Sequence, residues 1–228
     1  MGRYTGPRVR IIRRLGLLPG LTLKSSKERN RSPGEHGKNL FAKRNRPSLS
    51  EDYKQRLLEK QKLRFNYGVS EKQLLRYYNI AKMRKGVTGN ILLELLEARL
   101  DCIIYRLGFA LTIPAARQLV THGHILVNSK KVTIPSFSCQ KNDLISIKDN
   151  SKAKPLILKN SDFQEQQRKL IQRRMKLVNV IRLRCYSLLP SHLEVNRITL
   201  RGKVLSPIKR KDVLLRIKES KVIAYYSR

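Results

Sequence analysis

The sequence predicts an α+β fold made of a basic arm, a helical domain and a small unit of two helices with a short sheet. Apolar residues recur every three to four positions over 48–84 and 90–107, which is the period of amphipathic helices. From Ile125 to Ile147 the apolar period falls to two, which is the period of strands. Basic residues crowd both ends of the chain, whereas 91–150 is nearly balanced, so the small unit is expected to be a separate module.

Residues 1–46 predict an extended basic arm. They combine 13 Lys and Arg with repeated Gly and Pro turn signals. A short apolar cluster is expected to anchor the arm, and the alternative is a disordered, solvated tail. The cluster consists of Ile11, Ile12, Leu15, Leu17 and Leu18.

Residues 47–90 predict two helices. The first carries Tyr53, Leu57, Leu58, Leu63 and Phe65 and is expected to break at Gly68. Ser70 with Gln73 three residues later is typical of a capping box that begins the second helix, which Gly86 is expected to end. The charge run of Lys60, Lys62 and Arg64 fits either an RNA contact or an ordinary solvated face.

The module, 91–150, opens with a predicted helix over 90–107 that Gly108 ends. Thr112 is placed to cap a second helix, which Gly123 is expected to end. Strands are expected at Ile125 and Val127, Val132 and Ile134, and Leu144 to Ile147, with a tight turn at Asn128 and Ser129.

After the module, residues 151–186 predict a basic linker or helical extension. Its helical part, Phe163 to Tyr186, interleaves apolar and basic side chains. This segment either clamps RNA or only packs, and the two readings stay open.

The net charge of +34 on 228 residues predicts a polyanionic partner. Such charge opposes compaction unless it is neutralised, so a nucleic acid is the first expectation. A membrane surface is the weaker alternative, because the chain has no apolar run of eighteen residues and no Trp. No signal peptide is visible behind the early arginines.

Motifs for catalysis or metal binding are not found. The cysteines, Cys102, Cys139 and Cys185, lack C-x-x-C spacing and are expected to be reduced. A metal pair at His122 and His124 is disfavoured, because no third ligand lies near in sequence. With no nucleophile motif and no phosphate-binding loop, we expect no enzyme, no cofactor and no metal.

Several blocks then carry a family resemblance. They are R-Y-T-G-P-R near the start, R-R-L-G-L-L-P-G-L-T at 13–22, L-E-K-Q-K-L-R-F-N-Y-G at 58–68, T-G-N-I-L-L-E-L-L-E-A-R-L-D, A-R-Q-L-V-T-H-G-H-I-L-V-N and a final Y-Y-S-R. In this order they resemble the S4 family of small-subunit ribosomal proteins, of the bacterial and plastid type, and 98–148 resembles the RNA-binding module named after it. The forms L-L-P-G-L-T and H-G-H-I-L-V-N are more similar to cyanobacterial and plastid members. With no import presequence visible, a plastid-made protein is expected, and the cytoplasm of a cyanobacterium is the alternative.

The resemblance implies a structural protein that binds small-subunit ribosomal RNA early, at a junction in the 5′ domain, and nucleates the subunit body. It also implies contact with ribosomal protein S5, at an interface that influences decoding accuracy. No membrane partner and no homo-oligomer are expected. The module is implied to be inserted, so that 187–228 returns to complete the helical domain of 47–90.

The family pattern also implies which residues face RNA. In the module they are Arg99, Arg106, Arg117, Gln118, His122, Asn128, Lys130 and Lys131. Outside it we expect Arg3, Tyr4, Arg8, Arg10, Arg13, Arg14, Lys43, Arg44, Arg46, Lys62 and Arg64. Arginine forks match phosphates, and amides can bond base or ribose edges. Asp101 is expected to hold one of the arginines in place, because phosphate would repel a carboxylate.

The sequence departs from the family pattern at three places. Cys102 stands where Asn is usual, Ser129 replaces a common Gly, and 150–190 is longer and more basic than expected.

An RNA-modifying enzyme is the alternative function from another class. Pseudouridine synthases share the module and an R-L-D motif like Arg99 to Asp101, but no segment remains here for a catalytic domain. A translational repressor that binds its own messenger stays compatible with the residues.

Overall fold

A computed structural model describes residues 4–24, 33–34, 49–177, 189–213 and 215–227. The chain divides into two compact units, one formed by Met1–Leu92 with Arg216–Arg228 and one by Leu93–Leu215. Helices build the first unit, and the second adds a five-stranded sheet. The α+β prediction is confirmed. Within the described residues, no helix is long and apolar enough to cross a membrane.

The first unit begins with a helix, although the sequence predicted that the arm would be extended. Helix α1 spans Arg8–Leu15 and buries Ile11, Ile12 and Leu15 on one face. Those three positions fit a helical period, and Arg10 and Arg14 are exposed, so the segment folds as a short amphipathic helix. Gly16, at φ 89°, ends it.

The next two helices agree with the prediction. Helix α2 spans Leu49–Tyr67 and α3 spans Glu71–Met83, with Gly68 at φ 60° between them. The Gln73 amide donates to Ser70 Oγ at 3.3 Å, and the Ser70 amide donates to Gln73 Oε1 at 3.1 Å. The capping box is therefore confirmed.

The C-terminal segment returns to this helical unit. Helix α8, Glu219–Tyr226, packs against α2 and α3. Its Tyr226 hydroxyl donates to Glu71 Oε1 at 2.7 Å, and the Lys218 amide donates to Glu59 Oε2 at 3.1 Å. Residues 216–227 thus belong to the first unit. Residues 189–213, which the sequence predicted to complete the helical domain, lie instead in the second unit, because 201–204 pairs with a strand of the module and 193–196 pairs with 201–204.

The helix predicted over 90–107 is two helices. Helix α4 spans Thr88–Glu97 and α5 spans Leu100–Leu107. Arg99 between them has extended backbone, at φ −68° and ψ 141°. The Leu100 amide donates to the Phe137 carbonyl at 2.8 Å, and the Cys139 amide donates to the Ala98 carbonyl at 2.9 Å. A later loop therefore supplies the backbone partners at the break.

The second module helix and its turn agree with the prediction. Helix α6 spans Ile113–Thr121, with Thr112 Oγ1 accepting from the Ala115 amide at 3.3 Å. Strands β1, Ile125–Val127, and β2, Lys130–Lys131, join at Asn128 and Ser129, with φ of 50° and 66°. Both positive values fit a two-residue hairpin turn despite the serine. Val132 to Ile134 is not a strand, because the chain leaves the sheet for the helix break.

The sheet grows beyond the module. Strand β3 spans Leu144–Ile147, β4 spans Leu193–Asn196 and β5 spans Arg201–Val204. The order is β2-β1-β3-β5-β4, and every pair is antiparallel. One face packs on α5 and α6 around a core that includes Leu100, Ile104, Phe109, Ile125 and Ile145.

Helix α7 spans Lys154–Leu177, so the predicted basic helix begins earlier than expected. Ile157 is buried, and the Asn160 and Gln164 side chains donate to the carbonyls of Phe109 and Ala110 at 3.3 and 3.2 Å. The first half of α7 therefore packs on the module. Residues 178–188 lie outside the described residues.

Candidate nucleic-acid interface

A buried carboxylate organises the start of α5. Asp101 is 0% exposed and lies within bonding distance of two arginines. Arg99 donates from Nε to Oδ1 at 3.1 Å and from Nη2 to Oδ2 at 2.8 Å. The bonds are parallel and charge-assisted, which is the strong form of this contact. Arg99 is itself only 3% exposed, so this pair belongs to the interior.

Arg117 of α6 shares the same carboxylate. Its Nε and Nη2 donate to Asp101 Oδ2 at 3.2 and 2.8 Å. Unlike Arg99, its side chain stays 21% exposed. The prediction that Asp101 holds an arginine is confirmed, and it holds two.

Arg106 forms a separate buried pair. Its Nε donates to Glu97 Oε2 at 2.9 Å, and its Nη2 bonds Glu97 Oε1. The two residues are 7% and 2% exposed. The helix break at Arg99 is what brings the end of α4 to this point on α5.

The Asn128 side chain fastens the β1–β2 turn to the start of β3. Its Nδ2 donates to Asp143 Oδ1 at 2.9 Å, and its Oδ1 accepts from the Leu144 amide at 2.9 Å. Asp143 Oδ2 in turn accepts from the Gln140 amide at 2.7 Å. Both polar atoms of the Asn128 amide are thus engaged within the protein.

The end of α6 and the hairpin turn form one exposed surface. Gln118, His122, Lys130 and Lys131 are exposed beside the half-buried Arg117. The Lys131 stem passes over Gly123, where a Cβ would meet Lys131 Cε, and this contact joins the turn to the helix end. We call these five residues the α6–turn surface. It presents three permanent cations, a histidine and an amide.

The structure changes the account of three predicted RNA-facing residues. Arg99 and Arg106 are buried and bonded to carboxylates, so phosphate cannot reach them without breaking an internal ion pair. Asn128 remains exposed but uses its amide to shape the turn. Arg99 bonds the carboxylate that also holds Arg117, and Asn128 shapes the turn, whereas Arg106 pairs with Glu97 instead. The other five predicted residues of the module compose the surface.

The predicted residues of the first unit are placed as follows. Arg8, Arg10 and Arg14 are exposed on α1, and Arg13 is half-buried. Tyr4 is exposed but sets its ring edge-on to Phe65, with centroids 5.4 Å apart. Arg3, Lys43, Arg44 and Arg46 lie outside the described residues.

The charge run on α2 is largely engaged internally. Lys60, 4% exposed, bonds Glu71 Oε2 at 2.9 Å, and Lys62 bonds Glu59 Oε1 at 2.7 Å. Arg64 lies over the Phe65 ring, 5.1 Å from its centroid. The run is therefore not an ordinary solvated face, because each of its three cations contacts another side chain of the protein.

Sequence reasoning missed two partners of this architecture. Glu97 was not expected to hold Arg106, because nine residues on one continuous helix would place them on different faces. Gly123 was expected only to end a helix, yet its missing side chain admits Lys131.

The two described cysteines are free, buried thiols. Burial raises the pKa of the Cys102 thiol well above its usual range and that of Cys139 to about 12. Both therefore stay protonated near neutral pH. Among the described residues, no group of three His, Cys, Asp or Glu side chains could hold a metal ion.

Comparisons with known proteins match two successive segments of the chain to domains of one ribosomal protein family. The model of the ribosomal protein S4/S9 N-terminal domain matches residues 3–97, and that of the S4 domain matches residues 98–145. Small ribosomal subunit protein uS4c of Rhodomonas salina is 50% identical over 228 residues, covering 100% of this chain and 99% of the relative. The uS4c protein of Oltmannsiellopsis viridis is 48% identical, with 100% of both chains covered. The uS4 protein of a Synechocystis species is 49% identical, with 100% and 99% covered.

Proposed function

Because this chain belongs to the S4 family of small-subunit ribosomal proteins, we propose that it binds small-subunit ribosomal RNA at a helix junction of the 5′ domain and nucleates assembly of the subunit body. The family is one of structural ribosomal constituents, so the chain is not an enzyme. No cofactor enters the proposal.

The observation that carries the proposal is the α6–turn surface. Arg117, Lys130 and Lys131 meet there in a module whose other charged residues are four bases and five acids. A duplex or a junction offers closely spaced phosphates with 2′-hydroxyls between them. The cations suit the phosphates, while the Gln118 amide can donate to and accept from a 2′-hydroxyl. A few fixed groups of this kind select a site by shape.

The flanking segments are proposed to supply most of the sequence-independent attraction. Arg8, Arg10 and Arg14 are exposed along α1, and the first 46 residues hold 13 of the 50 Lys and Arg. Phosphate neutralisation by such residues releases counterions and gives a steep dependence on salt. We therefore propose a division of labour in which the arm provides affinity and the module provides selection.

The proposed partners and location rest on the family. Relatives from cyanobacteria and of the uS4c type are similar at nearly the same identity, which supports a plastid ribosome or that of a cyanobacterium. Contact with ribosomal protein S5 and an influence on decoding accuracy are proposed from the resemblance. We expect one copy of the chain in each subunit and no homo-oligomer.

Chemical footprinting tests the proposal. The purified chain is bound to full-length small-subunit ribosomal RNA, without other proteins, in moderate salt, and backbone protection is mapped. Protection confined to one 5′-domain junction supports a primary binder. Diffuse protection that fades as salt rises would leave only a general RNA-binding protein.

A further inference from the structure

We infer that Asp101 is a positioning residue for RNA binding, because it holds Arg117 in place on the α6–turn surface before RNA arrives. This inference rests on the proposed function. It goes beyond it by assigning a role in recognition to a residue that RNA cannot touch.

Asp101 fixes the guanidinium of Arg117. Asp101 is fully buried, its own amide donates to the Pro135 carbonyl at 3.2 Å, and Arg99 donates twice to its carboxylate, so its backbone and its carboxylate are both held in place. Arg117 directs Nε and Nη2 to Asp101 Oδ2, while part of its side chain remains exposed. A long side chain that would otherwise sample many rotamers is thereby held in one orientation at the surface.

Holding Arg117 in advance should strengthen binding. A flexible side chain loses rotamer freedom when it docks on a phosphate, and a pre-ordered one has already lost it. The carboxylate does not cancel the attraction, because Arg99 also bonds it and the three groups together keep one positive charge. Asp101 therefore orders the cation without neutralising the site.

The chain contains a matched control in the same module. Glu97 also holds an arginine by two bonds, which Arg106 donates to both of its carboxylate oxygens, but here both side chains are buried. Loss of the Glu97 charge removes a buried ion pair without touching the α6–turn surface. A comparison of Glu97→Gln with Asp101→Asn therefore separates the effect of losing a buried ion pair on the fold from an effect on RNA recognition.

The test is a double-mutant cycle on a 5′-domain RNA fragment. The wild type is compared with Asp101→Asn, Arg117→Ala and the double variant, with Glu97→Gln as the control. Circular dichroism establishes that each variant is folded at the temperature of the titration. Each single change at Asp101 or Arg117 is expected to weaken binding about tenfold or more. The double variant is expected to bind no more weakly than Arg117→Ala, and Glu97→Gln close to wild type.

The cycle separates failure of this inference from failure of the proposed function. A double variant weakened by the product of the two single effects overturns the positioning role, since Asp101 would then act independently of Arg117. An Asp101→Asn affinity equal to wild type overturns it as well. A wild type that does not prefer the 5′-domain fragment to an equally long 3′-domain fragment counts against the proposed function itself.

A second variant keeps the inference testable if Asp101→Asn does not fold. Arg117→Lys keeps the charge but cannot donate from two guanidinium nitrogens to Oδ2. It is expected to bind about as weakly as Arg117→Ala, because the ammonium is not held in the same orientation. Wild-type affinity for Arg117→Lys would overturn the positioning role.

Discussion

The Arg117 guanidinium lies 2.8 Å from the Asp101 carboxylate, although the two residues are sixteen positions apart on different helices. This contact joins α5 to α6 and sets where the partly exposed arginine stands. The same ion pair therefore serves both the packing of the module and the shape of its surface.

Neutralising the exposed arginines of α1 should reduce the salt dependence of RNA binding. Arg10→Gln with Arg14→Gln removes two cations from the solvent side of α1. The slope of log affinity against log salt is expected to fall by roughly 0.7 to 0.9 for each arginine that meets a phosphate. Affinities at several salt concentrations measure it. An unchanged slope in the double variant would contradict the division of labour between arm and module.

Gly202→Ala should destabilise the second unit. A Cβ at this position in β5 would lie 2.5 Å from Leu107 Cδ1 in the core. Leu107 is buried and has little room to move, so overpacking is expected to cost about 1 to 3 kcal/mol. Urea unfolding measures the loss. Lys203→Ala, at the next and exposed position, is the control and should stay within about 0.5 kcal/mol of wild type.

Tyr226→Phe should loosen the attachment of α8 in the first unit. The hydroxyl donates to Glu71 at 2.7 Å, and burial, with this bond, raises the pKa of Tyr226 above its usual range. Removing a hydrogen bond to a charged acceptor is expected to cost about 1 to 2 kcal/mol of unfolding free energy. Tyr225→Phe is the control, since the Tyr225 hydroxyl makes no hydrogen bond among the described residues. Equal effects of the two changes would contradict the role of the Glu71 bond.

His192 should make stability depend on pH in mildly acidic solution. Burial lowers its pKa below the unfolded value of about 6.5, despite the nearby Asp212 and Glu97 carboxylates. Below that value the unfolded chain binds a proton that the folded chain resists, so stability falls as the pH decreases and is unaffected above it. Urea midpoints measured on both sides of pH 6.5 test this. His192→Gln should make the urea midpoint less dependent on pH below 6.5. A pH profile that is the same in this variant as in the wild type would contradict the role of His192.

The two buried thiols should resist alkylation in the native protein. Cys102 and Cys139 are almost fully buried, and burial raises the pKa of each, so little thiolate is present near pH 8. In a Cys185→Ser background, iodoacetamide is expected to label neither residue until denaturant is added. Mass spectrometry locates the label. Rapid native labelling at either position would contradict the buried placement.

The sequence predicted the elements whose signals are local. Thr112 and Gly123 delimit α6, and the Ser70 box begins α3, because caps depend on residues within one turn. The break at Arg99 was missed, because its backbone partners come from Phe137 and Cys139, far along the chain. Long-range hydrogen bonds of this kind leave no periodic signal.

In the candidate site, too, local features could be predicted from the sequence and long-range contacts could not. The role of Asp101 followed from charge alone, since a carboxylate beside phosphate needs a cation between them. The burial of Arg106 did not follow, because Glu97 reaches it only through the break between α4 and α5. Strands β4 and β5 were also missed, because short segments with charged outward residues become strands only by pairing, β5 with β3 and β4 with β5.

The claim that the α6–turn surface selects a site on the RNA is tested most directly by the ratio of the dissociation constants for two RNA fragments. The intact chain is titrated with a 5′-domain fragment and with a 3′-domain fragment of equal length, at low and at high salt. If the α6–turn surface selects its site, both affinities fall with salt while the preference for the 5′-domain fragment persists. Dissociation constants that are equal for the two fragments at both salt concentrations would contradict a site-selective binder.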